Sequence, residues 1–241
     1  MLHDGQKALV VDPGDFAPVL EALKSENVSL DAILVTHHHI DHTGGIAFLR
    51  ESTQAKVFGP ALENIPEPLD RLNGGETIQV LGLNWQVMSV PGHTMGHLAY
   101  FADIGLDQPI VFCGDTLFSA GCGRLFEGTA QQMETSLETL AALPANTHVC
   151  CTHEYTLSNL RFARTVDPSN NALKVYDEEC QSLRARGLPT LPSTIGLERQ
   201  INPFLRSSQK EIVNAVRQYD LSGFDQSGCF ATLRQWKNEY R

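Results

Sequence analysis

The segment that most constrains this chain is Thr36-His37-His38-His39-Ile40-Asp41-His42, which reads T-H-x-H-x-D-H. Histidine and carboxylate are the usual ligands of zinc, iron and manganese in hydrolytic sites, and accidents of surface composition seldom place so many together. A fold that keeps this segment must end a rigid element near Thr36 and present the next side chains to a cation. His37 and His39 are two apart, so in an extended segment they project to the same side. Asp41 and His42 leave that line and can serve a neighbouring ion.

The flanking pattern supplies the rigid element. Ala32 to Val35 is an apolar run that reads as a strand, and the ligand cluster begins where it ends. Lys7 to Val11 is an earlier strand closed by Asp12-Pro13-Gly14, and Asp15 can cap a helix from Phe16 to Glu26. Gly44-Gly45 precedes a helix through Leu49. Strand signals recur at Lys56–Phe58, Thr77–Leu81, Trp85–Val90, Leu98–Phe101, Ile110–Phe112 and His148–Cys151. Thr129 to Leu143 has helical spacing, with a capping box between Thr129 and Gln132. Residues 1–155 therefore alternate strands and helices, which implies an α/β domain of sheets covered by helices.

Residues 156–241 change character and read as a helical domain. Leu173, Tyr176, Cys180 and Leu183 share a helical face, Ser208 and Glu211 form a second capping box, and Phe230 to Tyr240 reads as a terminal helix. Pro189, Pro192 and Pro203 predict an extended loop over Leu188 to Phe204.

Three more ligand-type residues follow strands: His93 in a glycine-rich turn, Asp115 after Cys113-Gly114, and His153 after the His148–Cys151 strand. Seven ligands exceed one tetrahedral zinc and suit two divalent ions that share a carboxylate. One ion takes His37, His39 and His93; the other takes Asp41, His42 and His153; Asp115 bridges. Two such ions about 3.5–4 Å apart can hold a shared hydroxide and lower the pKa of its parent water toward about 7. Asp41 and Asp115 are thus expected to serve catalysis as well as ligation. His38 and His97 are expected to orient ligands by hydrogen bonds. Zinc is the first expectation, with iron and manganese acceptable to the same donors.

Composition narrows the partners. A formal charge of −10 argues against nucleic acid, which wants a basic face. No apolar run approaches the roughly 18 residues of a membrane span, and the start lacks the basic and apolar regions of a signal peptide. The six cysteines form no C-x-x-C pair. These features suit a reduced cytoplasmic enzyme acting as a monomer, without nucleic acid or membrane.

These motifs resemble the metallo-β-lactamase superfamily and, within it, the glyoxalase II enzymes, over nearly the whole chain. Thr36 to His42 matches the superfamily signature. Greater specificity lies in Gly114-Asp115-Thr116-Leu117-Phe118-Ser119-Ala120-Gly121-Cys122-Gly123-Arg124, Cys151-Thr152-His153-Glu154-Tyr155-Thr156 and Asn202-Pro203-Phe204-Leu205-Arg206. The resemblance implies an αββα sandwich with a C-terminal helical domain, a binuclear site, and hydrolysis of S-D-lactoylglutathione by a metal-bridged hydroxide. It further implies glutathione contacts at Arg124, Phe126 and Tyr155, and a carboxylate grip by Arg234 and Lys237. The i, i+3 spacing of that last pair puts both charges on one helical face.

The chain departs from the family pattern at Phe126, where some members carry tyrosine. It also departs at its start, where the family's first strand is expected to be missing. Rival readings are a persulfide dioxygenase with one iron, another hydrolase of the same fold, and a non-catalytic metal-binding protein.

Overall fold

In the computed structural model, which describes residues 1–103, 105 and 109–240, two β-sheets pack face to face with helices outside each. The first sheet runs in chain order: β1 (Leu2–His3), β2 (Lys7–Val11), β3 (Ser29–Leu34), β4 (Lys56–Pro60) and β5 (Asp70–Leu72). Strands β2 to β5 are parallel, and β1 adds an antiparallel edge in register Leu2↔Leu9. Helices α1 (Ala17–Glu26), α2 (Ile40–Thr43) and α3 (Ile46–Thr53) make its crossovers.

The second sheet holds β6 (Thr77–Val80), β7 (Leu83–Ser89), β8 (Leu98–Asp103) and β9 (Pro109–Gly114) as an antiparallel meander. After the small hairpin of β10 (Leu117–Phe118) and β11 (Gly121–Cys122) and helix α4 (Ala130–Ala141), β12 (His148–Cys151) pairs parallel with β9. The C-terminal region contributes α5 (Thr156–Val166), α6 (Asn171–Ala185), β13 (Ser193–Thr194), α7 (Ile195–Ile201), α8 (Lys210–Tyr219) and α9 (Leu221–Glu239). Strand β13 completes the second sheet beside β12, so the helical region is stitched into the sandwich by backbone hydrogen bonds.

Period-two alternation explains the layering. Ala8 and Val10 face the α1/α3 layer with Leu23 and Leu49, whereas Leu9 between them faces the inter-sheet core with Trp85 and Tyr100. On the far side, Val111 and Val149 of the second sheet pack with Met133 and Leu137 of α4 and with Phe204, Ile212 and Leu233 from the C-terminal region. The layers are helix, sheet, sheet, helix: a mixed α/β sandwich with a helical C-terminal region.

Several boundaries differ from the sequence reading. Leu188 to Phe204 is not a loop throughout, because β13 and α7 lie inside it. Its prolines flank the helix instead of entering it: Thr194 caps the start by accepting from Leu197 N, and Asn202 ends it before Pro203. Ser208 and Glu211 form no capping box, since Gln209 occupies the cap position of α8 without a side-chain bond. Helix α9 begins well before Phe230, at Leu221, and breaks at Gly228, whose φ of 83° leaves the helical region. Helix α1 starts at Ala17, whose N–H donates to Asp15 Oδ1 at 3.0 Å. Short elements whose periodicity is too brief to read also emerge: α2, β5 and the β10–β11 hairpin.

Candidate metal centre and substrate cleft

Every ligand-type residue sits just beyond the C-terminal end of a strand. His37, His39, Asp41 and His42 follow β3, His93 follows β7, Asp115 follows β9 and His153 follows β12. One strand of the first sheet and three of the second end at one edge of the sandwich, which is why residues far apart in sequence meet there. The turn at α2 separates the first four into two sets, because Asp41 and His42 lie within it and His39 precedes it.

His37, His39 and His93 form one set. His37 Nε2 lies 3.0 Å and His93 Nε2 3.1 Å from His39 Nδ1. The opposite ring nitrogens fix the tautomers by their partners. His93 Nδ1 donates to Arg124 O at 2.9 Å. Thr36 Oγ1 donates to Asp12 Oδ2 at 2.7 Å, which leaves its lone pair to accept from His37 Nδ1 at 3.0 Å. The Nε2 lone pairs of His37 and His93 therefore converge with His39 Nδ1 on one point. Burial, reinforced by the neighbouring histidines, holds the pKa of His37 far below the ordinary value, so the ring stays neutral. Burial also lowers that of His93.

Asp41, His42 and His153 form the second set, with their ligand atoms within 4.8 Å of one another. His42 Nδ1 donates to Asp12 Oδ2 at 3.0 Å, aiming Nε2 at Asp41 Oδ2, 3.7 Å away. Burial pulls the His42 pKa down, but the Asp12 bond and the charges of Asp12, Asp115 and Asp41 carry it above the usual value. That surplus of negative charge favours any cation at Nε2, a metal as well as a proton.

Asp115 stands between the sets. Its Oδ2 is 3.5 Å from His93 Nε2, while its Oδ1 is 3.5 Å from His42 Nε2 and 3.4 Å from His153 Nε2. Burial raises its pKa, yet the neighbouring His153, His42 and His93 outweigh burial and hold it below the ordinary carboxylate value. Gly114, at φ 48°, is required for this placement: a Cβ there would meet Thr36 Oγ1 and lie 2.7 Å from His97 Cε1. His97, whose pKa burial depresses to about 3, stacks on His37 and accepts from Asp115 N at 3.2 Å.

His42 Nε2 and Asp115 Oδ1 are buried with no hydrogen-bond partner among the described residues. Orphaned buried acceptors are rare and call for an unseen cation or water. The His/Asp groups here are able to bind two metal ions, one per set, and the all-N/O donor set suits zinc, iron or manganese.

The centre opens into a cleft of about 720 Å³. Arg124, Phe126, Tyr155, Arg234 and Lys237 all line it, so the contacts expected from the sequence do gather beside the ligands. Phe126 sets its edge against His39 and His93, at centroid distances of 5.5 and 5.2 Å. Tyr155 stacks on His153 at 4.8 Å. Lys237 and Arg234 rise from α9 on the far side. Arg234 is not an open grip. It is 4% exposed, and it donates from Nη1 to Cys122 O at 2.9 Å and from Nη2 to Asn238 Oδ1 at 3.1 Å.

Residues 1–153 match the family profile of the metallo-β-lactamase superfamily, and residues 154–240 match that of the hydroxyacylglutathione hydrolase C-terminus. The chain is 61% identical over 241 residues to the hydroxyacylglutathione hydrolase of Albidiferax ferrireducens, an alignment that covers 100% of this chain and 94% of that relative. The chain belongs to the hydroxyacylglutathione hydrolase family.

Solved structures place this family member in a wider fold group. BLEG-1 B3 metallo-β-lactamase superposes with a TM-score of 0.62 at 24% identity over 85% of this chain and 91% of its own, a likeness of fold alone. TTHA1623, solved in a di-iron-bound form, gives a TM-score of 0.58 at 26% identity over 81% of this chain and 87% of its own.

Some residues that shape this hydroxyacylglutathione hydrolase family site escape a reading of the sequence. Asp12 reads as part of a turn, yet its carboxylate accepts from Thr36 N, Thr36 Oγ1 and His42 Nδ1. Asn159, Asn238 and Tyr240 line the cleft without any motif to mark them. Arg161 is a further cation whose charge is felt at Lys237. An Asp-Pro-Gly turn closing the strand that pairs with the ligand strand is the one signal that could have pointed to Asp12.

Proposed function

We propose that the chain hydrolyses the thioester of 2-hydroxyacylglutathiones, taking S-D-lactoylglutathione to D-lactate and glutathione, the second step of methylglyoxal detoxification. One observation carries this reading. A single cleft joins a ligand set for two ions to a group of cations, Arg124, Arg234 and Lys237, that have no acidic partner among the described residues. Glutathione brings two carboxylates to such a surface and a thioester to such a centre.

In this reading His37, His39 and His93 would hold one ion and Asp41, His42 and His153 the other, with the Asp115 carboxylate between the two sets. The fit is supported by the orphaned His42 Nε2 and Asp115 Oδ1 and by tautomers that turn bare nitrogens inward. Zinc is the metal we propose, with iron or manganese suited to the same donors. Bound ions supply a water that ionises near neutral pH and a Lewis acid for the carbonyl. The working unit is a cytoplasmic monomer.

The remaining work falls to this chain's own side chains. Asp12, through His42 and Thr36, and Arg124 O, through His93, hold the rings in the orientation that ligation needs. Lys237 and Arg124 bind the carboxylates of the tripeptide, and Arg234 braces the cleft wall. Phe126 and Tyr155 flank the centre with aromatic faces that displace water from the scissile bond. The leaving thiolate needs little protonation, since thiols titrate near about 8.5, and no separate general acid is required.

The test is one preparation assayed twice, for S-D-lactoylglutathione hydrolysis and for metal content. Turnover with two metal equivalents per chain is expected. A single iron with oxygen consumption, or a fully loaded protein that leaves the thioester intact, would overturn the reading.

A further inference from the structure

Glu63 lies outside every motif, in the segment that follows β4, yet its side chain is 1% exposed and reaches the centre from the flank. Its Oε2 accepts from His38 N at 2.9 Å and also contacts His38 Nδ1. Its Oε1 accepts from Gly96 N at 2.8 Å. His38 sits between His37 and His39, and Gly96 lies three residues beyond His93 in the loop between β7 and β8. One buried carboxylate therefore ties the two loops that carry the three-histidine set, one loop from each sheet. The approach is built for it: a Cβ on Gly96 would lie 2.6 Å from Glu63 Cγ and 2.8 Å from Oε1.

The second set has no such tie to Glu63. His42 is held by Asp12, and His153 follows β12, whose neighbours in the second sheet are β9 and β13. A second carboxylate repeats the Glu63 pattern on the exposed side of the same loops. Glu127 Oε2 accepts from Met95 N at 2.8 Å, and Oε1 lies 3.6 Å from His38 Nε2. Both acids hold backbone or side chains next to the three-histidine set, and neither makes a direct contact with Asp41, His42 or His153.

We propose that Glu63 is a positioning residue that sets the metal affinity of the His37–His39–His93 position independently of the Asp41–His42–His153 position. The inference rests on the ligand assignment proposed above. A glutamine at residue 63 offers one acceptor oxygen where the carboxylate offers two, so one of the N–H groups of His38 and Gly96 loses its partner and the loops separate. Outer partners of metal ligands typically account for about 10–100-fold in metal affinity.

Chelator-buffered zinc titration of the full chain, read as bound equivalents and not as turnover, tests this. His153→Ala should leave one equivalent, bound by the three-histidine set; His93→Ala should leave one bound by the other set. In the His153→Ala background, Glu63→Gln is expected to weaken the remaining ion by about 10–100-fold. In the His93→Ala background the same change should leave it within about twofold. Glu127→Gln, at a side chain that is 40% exposed, should reproduce the selective loss at smaller size if Glu63→Gln does not fold. Equal weakening in both backgrounds, or no weakening with only a lower melting temperature of the metal-free protein, would overturn the inference. If His93→Ala and His153→Ala did not each remove one equivalent, the ligand assignment would fall first and this inference with it.

Discussion

At the scale of single residues, the contrast between Lys237 and the rest of the chain is chemical. The protein carries a net charge of −10, yet Lys237 is surrounded by cations. Burial, with the charges of Arg234, Arg161 and Arg124, lowers its pKa from 10.5 to about 8. The ammonium is present below that value and lost above it, so carboxylate binding weakens as pH rises through about 8. KM for the glutathione thioester is expected to climb between neutral pH and pH 9.5 while kcat moves less, and Lys237→Met should raise KM at neutral pH and flatten the climb. A climb that survives Lys237→Met would assign the titration elsewhere. The linkage sign is opposite for stability. The unfolded chain binds more protons between about 8 and 10.5, so through this lysine the folded state gains stability over that window as pH rises.

At the scale of elements, α9 matters less as a helix than as a brace. Its Arg234 holds the carbonyl of Cys122 in β11, and β11 with β10 forms the hairpin that follows Asp115. Removing the guanidinium takes a donor from the Cys122 carbonyl, while Asn202, Asn159 and Glu198 still hold the rest of the hairpin. Arg234→Ala is therefore expected to lower unfolding free energy by about 2 kcal/mol, measured by urea denaturation, and to raise KM as well. Lys237→Ala, whose head group touches Ser158 O at 3.3 Å, lies over the rings of Phe162 and Tyr240 and lines the cleft, should raise KM with a smaller loss of stability. Equal stability losses would contradict this division of roles. The sequence reading placed both residues on one helical face and treated them as a matched pair. Their difference arises from β11, a two-residue strand too short to show a period. The same limit hid α2, whose single turn splits the ligand run into its two sets.

At the scale of the whole molecule, the apolar core of the sandwich is built without the ligand residues. Three apolar clusters fill the layers between helices and sheets, and a fourth lies among the C-terminal helices. The ligand loops lie at one edge of those layers. Exhaustive chelation is expected to abolish hydrolysis while leaving the far-ultraviolet circular dichroism of a folded α/β protein. Ions free at about 1,000 times their Kd should then add about 4 kcal/mol per site to unfolding free energy, read as a rise in Tm. Loss of the folded spectrum on chelation would show that the metals organise the core as well as the edge.

Local chemistry was legible in the sequence: T-H-x-H-x-D-H, the strand-ending His93, Asp115 and His153, and the alternation of apolar residues that makes a two-sided sheet. Each of these depends on residue type and near-neighbour spacing, which a one-dimensional string preserves. Tertiary structure alone decided which side chains brace the ligands. Asp12 and Glu63 act on partners 24 to 33 residues away, through hydrogen bonds set by neighbouring strands of the first sheet and, between Glu63 and Gly96, by the packing of one sheet on the other. It also decided that Arg234 supports the cleft wall while Lys237 faces the cleft. A ligand's identity is a property of its side chain, but its orientation and charge belong to whatever the fold packs against it.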